Sequence, residues 1–465
     1  MNPHSHLRVP VESRLCEVAL NLPGPSQASA AGRIFTRAVE NPLVRSGVVL
    51  VAGVLIGNVL GFARVALTAY LLGTHSLADS LAVAMGPLDT LILVLINGIV
   101  FAFVPMLTAC GPAERTGLFL KLSRCFAWAL AAFAAAAILA APWLMKALAP
   151  GLDPRYFGAA VLNMRIMLTA SAPAGITAVH FAQLYTERRF GPAAFYQATM
   201  NLFMTGSALC LWKVFGVYAF AIGYAAGAWV QLAVAWFLTR SRLDTAAAAP
   251  CRVGWSEILA KPAFYVVYAA GIGLNIAFTR AWATHGGPGM AAALDYCMRG
   301  VSVPLAILVT PLSNSLLPEI ARLRSASRVR EALRLIDRTV GLTGLAAVGA
   351  CGFALLFRQP AIALLFQRGS FTAESTRLVS AVFLGLGPSL IGWSLIEVAS
   401  RSLFALDRPW PPVIAAAFPV LLNVAITLRL HSWRPDLIGL GSTLGLLAGA
   451  GALFTMAHWS RKRWV

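Results

Sequence analysis

Apolar residues of this chain lie in long runs that short polar connections separate, from residue 46 to near the C-terminus. Each run is close to the roughly 20 residues that a helix needs to cross a bilayer. Twelve spans are predicted, at residues 46–72, 79–109, 122–148, 160–186, 192–213, 216–239, 258–283, 289–318, 333–357, 374–404, 409–430 and 437–459. The pattern therefore predicts an all-α polytopic membrane protein with about twelve transmembrane helices.

Composition agrees with this class. The 465 residues are 58% hydrophobic and 12% charged, which is more apolar sequence than one soluble core could use. The net charge of +19 could indicate a nucleic-acid partner, but the arginines lie in short loops between apolar runs, so none is expected. The seven cysteines show no CxxC or metal-ligand spacing and are interpreted as small core residues. The sequence thus indicates no metal and no cofactor.

The distribution of basic residues predicts the topology. Most of the 37 Lys and Arg residues lie in the N-terminal tail, the even-numbered connections and the C-terminus. Because basic loops stay inside, both termini are expected in the cytoplasm. The predicted domains are a cytoplasmic tail (1–45), an N-lobe of helices 1–6 (46–240), a cytoplasmic linker (241–257), a C-lobe of helices 7–12 (258–459) and a basic cytoplasmic tail (460–465).

A charged pair occurs twice within the apolar runs. Arg64 precedes Asp79 by the same number of residues as Arg280 precedes Asp295, and each pair falls on the first two helices of its half. Charge inside an apolar helix is costly and marks a candidate functional site. Two copies predict an internally duplicated transporter with its substrate site between the halves. The predicted substrate-binding residues are these four and Arg299, one helical turn beyond Asp295.

Other polar residues in the spans are candidates for chemical roles. The chain has no HExxH, GxSxG or P-loop motif, so neither an enzyme nor an ATP-driven pump is predicted and no catalytic residue is assigned. Glu397 is interpreted as a polar residue that faces a cavity. His180 and Gln183, one turn apart, are expected to make hydrogen bonds between helices.

Several short motifs resemble those of one transporter family. Residues 365–373, LFQRGSFTA, are close to the family's L-F-x-x-G-x-F-T between its ninth and tenth helices. The other matches, in chain order, are 60–64 (LGFAR), Asp79, 102–105 (AFVP), 149–151 (APG), 165–167 (RIM), 189–193 (RFGPA) with Asn201, and 317–318 (LP). The chain thus resembles the MurJ/MviN lipid II flippases of the multidrug/oligosaccharidyl-lipid/polysaccharide exporter superfamily, as a divergent member.

The resemblance implies two six-helix lobes around a cationic central cavity in the bacterial inner membrane. That cavity would bind an undecaprenyl diphosphate-linked glycan and work by alternating access, without a cofactor. Carried over by position, its residues would be Arg64 and Asp79 in the first lobe and Asp295 in the second. The chain departs from the family where it reads LDTLI (88–92) in place of a second-helix arginine, and where Tyr296 follows Asp295 in place of an arginine.

Three functions remain open at this stage. The first is a flippase for lipid II or a similar lipid-linked oligosaccharide. The second is a drug or cation antiporter of the same superfamily, although three arginines against two aspartates disfavour a cationic substrate. The third is a non-transporting scaffold for envelope polysaccharide synthesis, with biosynthetic enzymes as partners, because the second-helix arginine is absent.

Overall fold

The computed structural model describes residues 42–241, 249, 255–406, 408–430 and 435–461. All regular secondary structure in these ranges is helical, and the described residues from Leu50 onward form one compact unit. The tails and most of the 241–257 linker lie outside the described residues, so the domain boundaries stay predictions.

The first half of the chain contains eight described helices. They are α1 (Pro42–Leu72), α2 (Ser76–Ala109), α3 (Pro112–Leu148), α4 (Pro154–Leu168), α5 (Ser171–Thr186), α6 (Gly191–Ala194), α7 (Tyr196–Phe215) and α8 (Tyr218–Arg240). Proline begins both α3 and α4, where its missing N–H costs nothing. The Asp153 side chain caps α4 by accepting a hydrogen bond from the Arg155 N–H at 2.9 Å.

The second half continues in the same way. Its described helices are α9 (Trp255–Ala283), α10 (Met290–Pro304), α11 (Thr310–Ser325), α12 (Val329–Leu356), α13 (Arg358–Phe366), α14 (Ala373–Leu386), α15 (Ser389–Ala405), α16 (Trp410–Ala415), α17 (Ala417–Leu430) and α18 (Gly439–Arg461). A π-helical turn, Leu305–Val309, follows Pro304 and joins α10 to α11. The α14 and α15 axes differ by 46° at the break that contains Pro388. A proline cannot donate its backbone N–H, which accounts for both interruptions.

Each of the twelve predicted spans corresponds to a helix or to consecutive helices. Among the described residues, nine helical segments are long and apolar enough to cross a bilayer, and the bent α14 and α15 pair is a tenth. The remaining two predicted spans are α7 and α9. Helix α7 is less apolar because Gln197 and Asn201 lie on it. The all-α polytopic fold class is confirmed.

Helices pack mainly within their own half, and α2 is the principal contact between halves. It packs along α9 and against the first part of α10. Glycines allow the backbones to approach closely, since a methyl group at Gly273 of α9 would overlap the side chain of Thr90 on α2. The two copies of the Arg-to-Asp pair are thereby brought to one interface.

The topology follows from loop charge and is tested by labelling. We expect His75→Cys and Pro288→Cys, at exposed turns, to react with a membrane-impermeant maleimide added from the periplasm, and Ser325→Cys to be protected. The introduced cysteines would be placed in a background without the native ones. Labelling at Ser325 from outside would contradict the assignment.

Candidate functional site

A cavity of about 290 Å³ lies between the two halves. Its charged lining residues come from four helices: Arg64 from α1, Asp89 from α2, Arg280 from α9, and Asp295 with Arg299 from α10. Gln197, Ile276 and Trp393 are among the other side chains that line it. Four of the five predicted site residues therefore meet in one cavity.

Arg280 and Asp295 form an ion pair in this cavity. The Arg280 Nη2 donates to Asp295 Oδ1 at 2.5 Å, and the two side chains are 10% and 14% exposed. Arg280 reaches this position because Gly86 of α2 lies beside it, where a methyl group would overlap the guanidinium. The second copy of the predicted Arg-Asp pair is thus in direct contact.

Arg64 has a much weaker partner. Its Nη1 lies 2.7 Å from the Met85 sulfur, and its buried Nε has no hydrogen-bond partner. A thioether is a weak acceptor, so the guanidinium retains most of its capacity to bind an anion.

Arg299 links the halves and is also incompletely satisfied. Its Nη2 donates to the Asn58 carbonyl of α1 at 2.7 Å, whereas its buried Nε has no partner. A methyl group at Gly61 would overlap this guanidinium, so the glycine provides the space for it.

The Nε of Arg280 is buried without a partner as well, and Arg280 as a whole residue is 9% exposed. Three guanidinium groups around one cavity thus each have an unused buried donor. Buried donors are normally satisfied. Their arrangement suits a ligand with several anionic oxygens, because arginine stays charged and binds phosphate in a bidentate manner.

Asp79 does not line this cavity. It lies in the first turn of α2, and its carboxylate accepts the backbone N–H groups of Gly289 at 2.6 Å and Ala292 at 2.8 Å. These groups begin α10, where unpaired N–H groups and the helix dipole attract a carboxylate. The expected pairing of Asp79 with an arginine is absent from this conformation because Asp79 caps a helix of the other half.

Further contacts surround Asp79 and join the halves at the same end of the helices. Tyr296 donates its hydroxyl to the Gly73 carbonyl at 2.7 Å, the Thr74 and Ser375 hydroxyls lie 2.7 Å apart, and the Ser370 N–H donates to the Tyr70 carbonyl at 2.8 Å. We call the Asp79 contacts and these three the Asp79 closure.

Glycines with positive φ make the Asp79 closure possible. Gly73, Gly289 and Gly369 have φ of 57°, 81° and 61°, and a methyl group on any of them would overlap the opposite half. Such φ values strongly favour glycine. Gly369 belongs to the LFQRGSFTA segment, so that motif holds the second half against the end of α1.

Tyr296 belongs to the Asp79 closure and does not line the cavity of about 290 Å³. It is 3% exposed and packs against Phe371 with ring centroids 5.7 Å apart. An arginine here would be buried within the Asp79 closure.

Asp89 is the charged cavity residue that sequence reasoning missed. It was noted only as part of a departure from the family pattern, although it is a carboxylate in the middle of an apolar span. The rule that selected Arg64 applies to it equally and would have identified it.

The contacts of three other polar residues bear on their sequence interpretations. Glu397 forms an ion pair with Arg401 on its own helix at 2.6 Å, and it does not line the cavity of about 290 Å³. His180 Nδ1 lies 2.8 Å from the Thr239 hydroxyl of α8, which confirms that it makes a hydrogen bond between helices. The Gln183 amide nitrogen donates to Glu187, which directly follows α5, at 3.3 Å, so this contact does not join two helices.

Gly86 offers a test of the arginine geometry. We expect Gly86→Ala to displace the Arg280 guanidinium and lower substrate binding at least about tenfold, whereas the fold persists because alanine favours a helix. Gly206→Ala on α7, where a methyl group meets nothing within 4 Å, is the matched control. Binding and thermal unfolding would be measured on both; equal binding by the two variants would contradict this role of Gly86.

Comparison with known proteins decides the family. The family model described as lipid II flippase MurJ matches residues 68–464. The chain belongs to the lipid II flippase MurJ family. It is a multi-pass membrane protein of a transporter family.

Individual MurJ relatives agree with this membership. The chain is 29% identical to a probable lipid II flippase MurJ of Rhizobium meliloti over 70% of its own length and 63% of the relative's. It is 27% identical to the lipid II flippase MurJ of Burkholderia cenocepacia, over 85% and 79% of the two chains.

The structural matches concern the fold. The chain is similar to a MurJ structure in an inward closed conformation, with a TM-score of 0.78, 16% identity and 88% and 87% of the two chains covered. It also resembles an inward-facing multidrug resistance MATE transporter, with a TM-score of 0.75, 14% identity and coverage of 87% and 94%. The multidrug exporters and the MurJ family thus share this architecture.

Proposed function

We propose that this protein is a flippase that moves an undecaprenyl diphosphate-linked cell-envelope precursor, lipid II or a similar lipid-linked oligosaccharide, across the bacterial inner membrane. Family membership supports the class of substrate. The observation that carries the proposal is the cavity itself, which Arg64, Arg280 and Arg299 line.

The charged head group is the part of such a lipid that cannot cross a bilayer unaided. Moving a diphosphate out of water is costly unless fixed cations replace its hydration. Arginines on α1, α9 and α10 would bind the phosphate oxygens, while Gln197 offers an amide to the sugars. The prenyl chain would remain in the lipid.

Alternating access requires a contact between the halves that can open and close. The Asp79 closure is such a contact at one end of the cavity, and the predicted topology places it on the periplasmic side. Its opening would expose the cavity to the periplasm, with both termini in the cytoplasm.

A cation or drug antiporter is the second candidate, since MATE transporters share the fold. The cavity charge disfavours it, because three arginines face two carboxylates there. A scaffold without transport has no use for three arginines that line a cavity.

Reconstituted vesicles would test the proposal. The purified chain, fluorescent lipid II and an exopolysaccharide repeat unit on the same prenyl diphosphate would be placed in liposomes, and a membrane-impermeant quencher would report the outer-leaflet fraction. We expect movement of at least one lipid-linked glycan and no uptake of a cationic dye. Dye transport without lipid movement would favour the antiporter.

A further inference from the structure

Asp89 has contacts that distinguish it from the other carboxylates of the site. It lies on α2 with its side chain exposed to the cavity, and it interacts with Tyr224 of α8. Tyr224 is 3% exposed and belongs to the main apolar core. Both residues belong to the first half of the protein.

The charges that face Asp89 come from the other side of the cavity and from α1. Arg64 and Arg280 attract it electrostatically, Asp295 repels it, and Arg299 also interacts with its charge. Asp295 has its own direct partner in Arg280. Asp89 thus acts on the arginines through the electrostatic field of its charge.

Its charge changes the balance of the cavity. The charged lining groups are three arginines and two aspartates, which leaves one net positive charge. Removal of Asp89 would leave two. Charges separated by several ångströms in a protein interior interact far more strongly than in water, so this difference acts on any charged ligand that enters.

We propose that Asp89 is a fixed counter-anion that lowers the affinity of the cavity for an anionic head group and makes this affinity depend on the head group's charge. The proposal rests on the proposed function, since it concerns the same cavity and a phosphate ligand. Asp89 repels each negative charge of the ligand and partly neutralises the arginines that bind it. It is a specificity-determining residue.

The need to release the ligand explains why a transporter would keep such a residue. With Asp295 as the only carboxylate of its lining, the arginine cavity would bind a diphosphate tightly on both sides of the membrane and deliver it slowly. Binding that is equally strong throughout a cycle does not speed the cycle. Asp89 lowers the affinity of the arginines for the ligand without removing them.

Asp89→Asn is the decisive variant, because it keeps the shape of the side chain. Three ligands with the same sugar and prenyl chain carry two, one and no negative charges: a short-chain polyprenyl diphosphate sugar, its monophosphate counterpart and the neutral polyprenyl glycoside. For charges roughly 10 Å apart at an effective dielectric constant of about 20, binding should tighten about tenfold per ligand charge. The neutral glycoside should not respond.

The measurement is the Kd of each ligand for the full-length chain in nanodiscs, with lipid translocation followed in vesicles. We expect Asp89→Asn to bind the monophosphate about tenfold and the diphosphate about a hundredfold more tightly, while translocation slows. Asp153→Asn, which removes one carboxylate outside the cavity, should change neither the Kd of the ligands nor the rate of translocation.

The outcomes separate this inference from the proposed function. If wild type binds the anionic lipids and Asp89→Asn binds all three ligands with unchanged or equally altered Kd, the counter-anion role is wrong and the flippase proposal stands. If wild type binds none of the anionic lipids, both are wrong. A rise in affinity graded by ligand charge supports the role of Asp89.

Discussion

Arg64→Ala is expected to abolish transport of the lipid-linked precursor and leave the protein folded and inserted. Arg64 donates to a thioether sulfur, so its removal breaks little structure but takes away one of three cavity cations. A charge-assisted hydrogen bond contributes about 1.5–3 kcal/mol, so binding of the head group should fall about tenfold to a hundredfold. Outer-leaflet exposure of fluorescent lipid II in vesicles would measure the loss.

Two variants make this result specific. Arg64→Lys should recover only part of the activity, because lysine keeps the charge and lacks the bidentate geometry. Arg165→Ala is the control, since Arg165 donates to the Ile138 carbonyl at 3.2 Å outside the cavity. Normal transport by Arg64→Ala would mean that Arg64 only completes local packing and that the cavity is not the phosphate site.

Asp79→Ala is expected to open the Asp79 closure and stop the transport cycle. It removes two hydrogen bonds from a carboxylate to the N-terminus of α10, each worth about 1.5–3 kcal/mol. A loss of about 3 kcal/mol shifts the equilibrium between closed and open conformations by about a hundredfold. Maleimide labelling of Ser375→Cys, buried at 3% exposure, should accelerate accordingly from the periplasmic side.

The Asp79 variants also have an internal comparison. Asp79→Asn should lie between wild type and alanine, since an amide oxygen still caps a helix but carries no charge. Asp153→Ala removes a similar cap from α4 and should leave the labelling rate unchanged. Slow labelling of Ser375→Cys in the Asp79→Ala background would show that the other contacts of the closure suffice.

Hydrophobic patterning predicted the spans well because a bilayer forces backbone polar groups into helices of defined length. The same pattern located Arg64, Arg280, Asp295 and Arg299, since charge in an apolar helix has few structural uses. All four line the cavity.

The partners of the charged residues could not be read from spacing. Asp79 and Asp295 follow their arginines at equal distances, yet Asp79 is the fourth residue of α2 and Asp295 the sixth of α10. That difference places Asp79 at a helix end, where backbone N–H groups of the other half compete for it. Tyr296 likewise packs against the Phe371 ring and donates to the Gly73 carbonyl, and both partners are distant from it in sequence.

Photocrosslinking within the cavity tests the central claim most directly. A photoreactive amino acid would replace Ile276, which lines the cavity, or Leu274 on the same helix, which is 60% exposed and outside it. We expect radiolabelled lipid II to crosslink at position 276, to crosslink far less at 274, and to lose the 276 signal when Arg64→Ala is added. Equal crosslinking at the two positions, or a signal at 276 that persists without Arg64, would contradict binding of the head group by the arginines of this cavity.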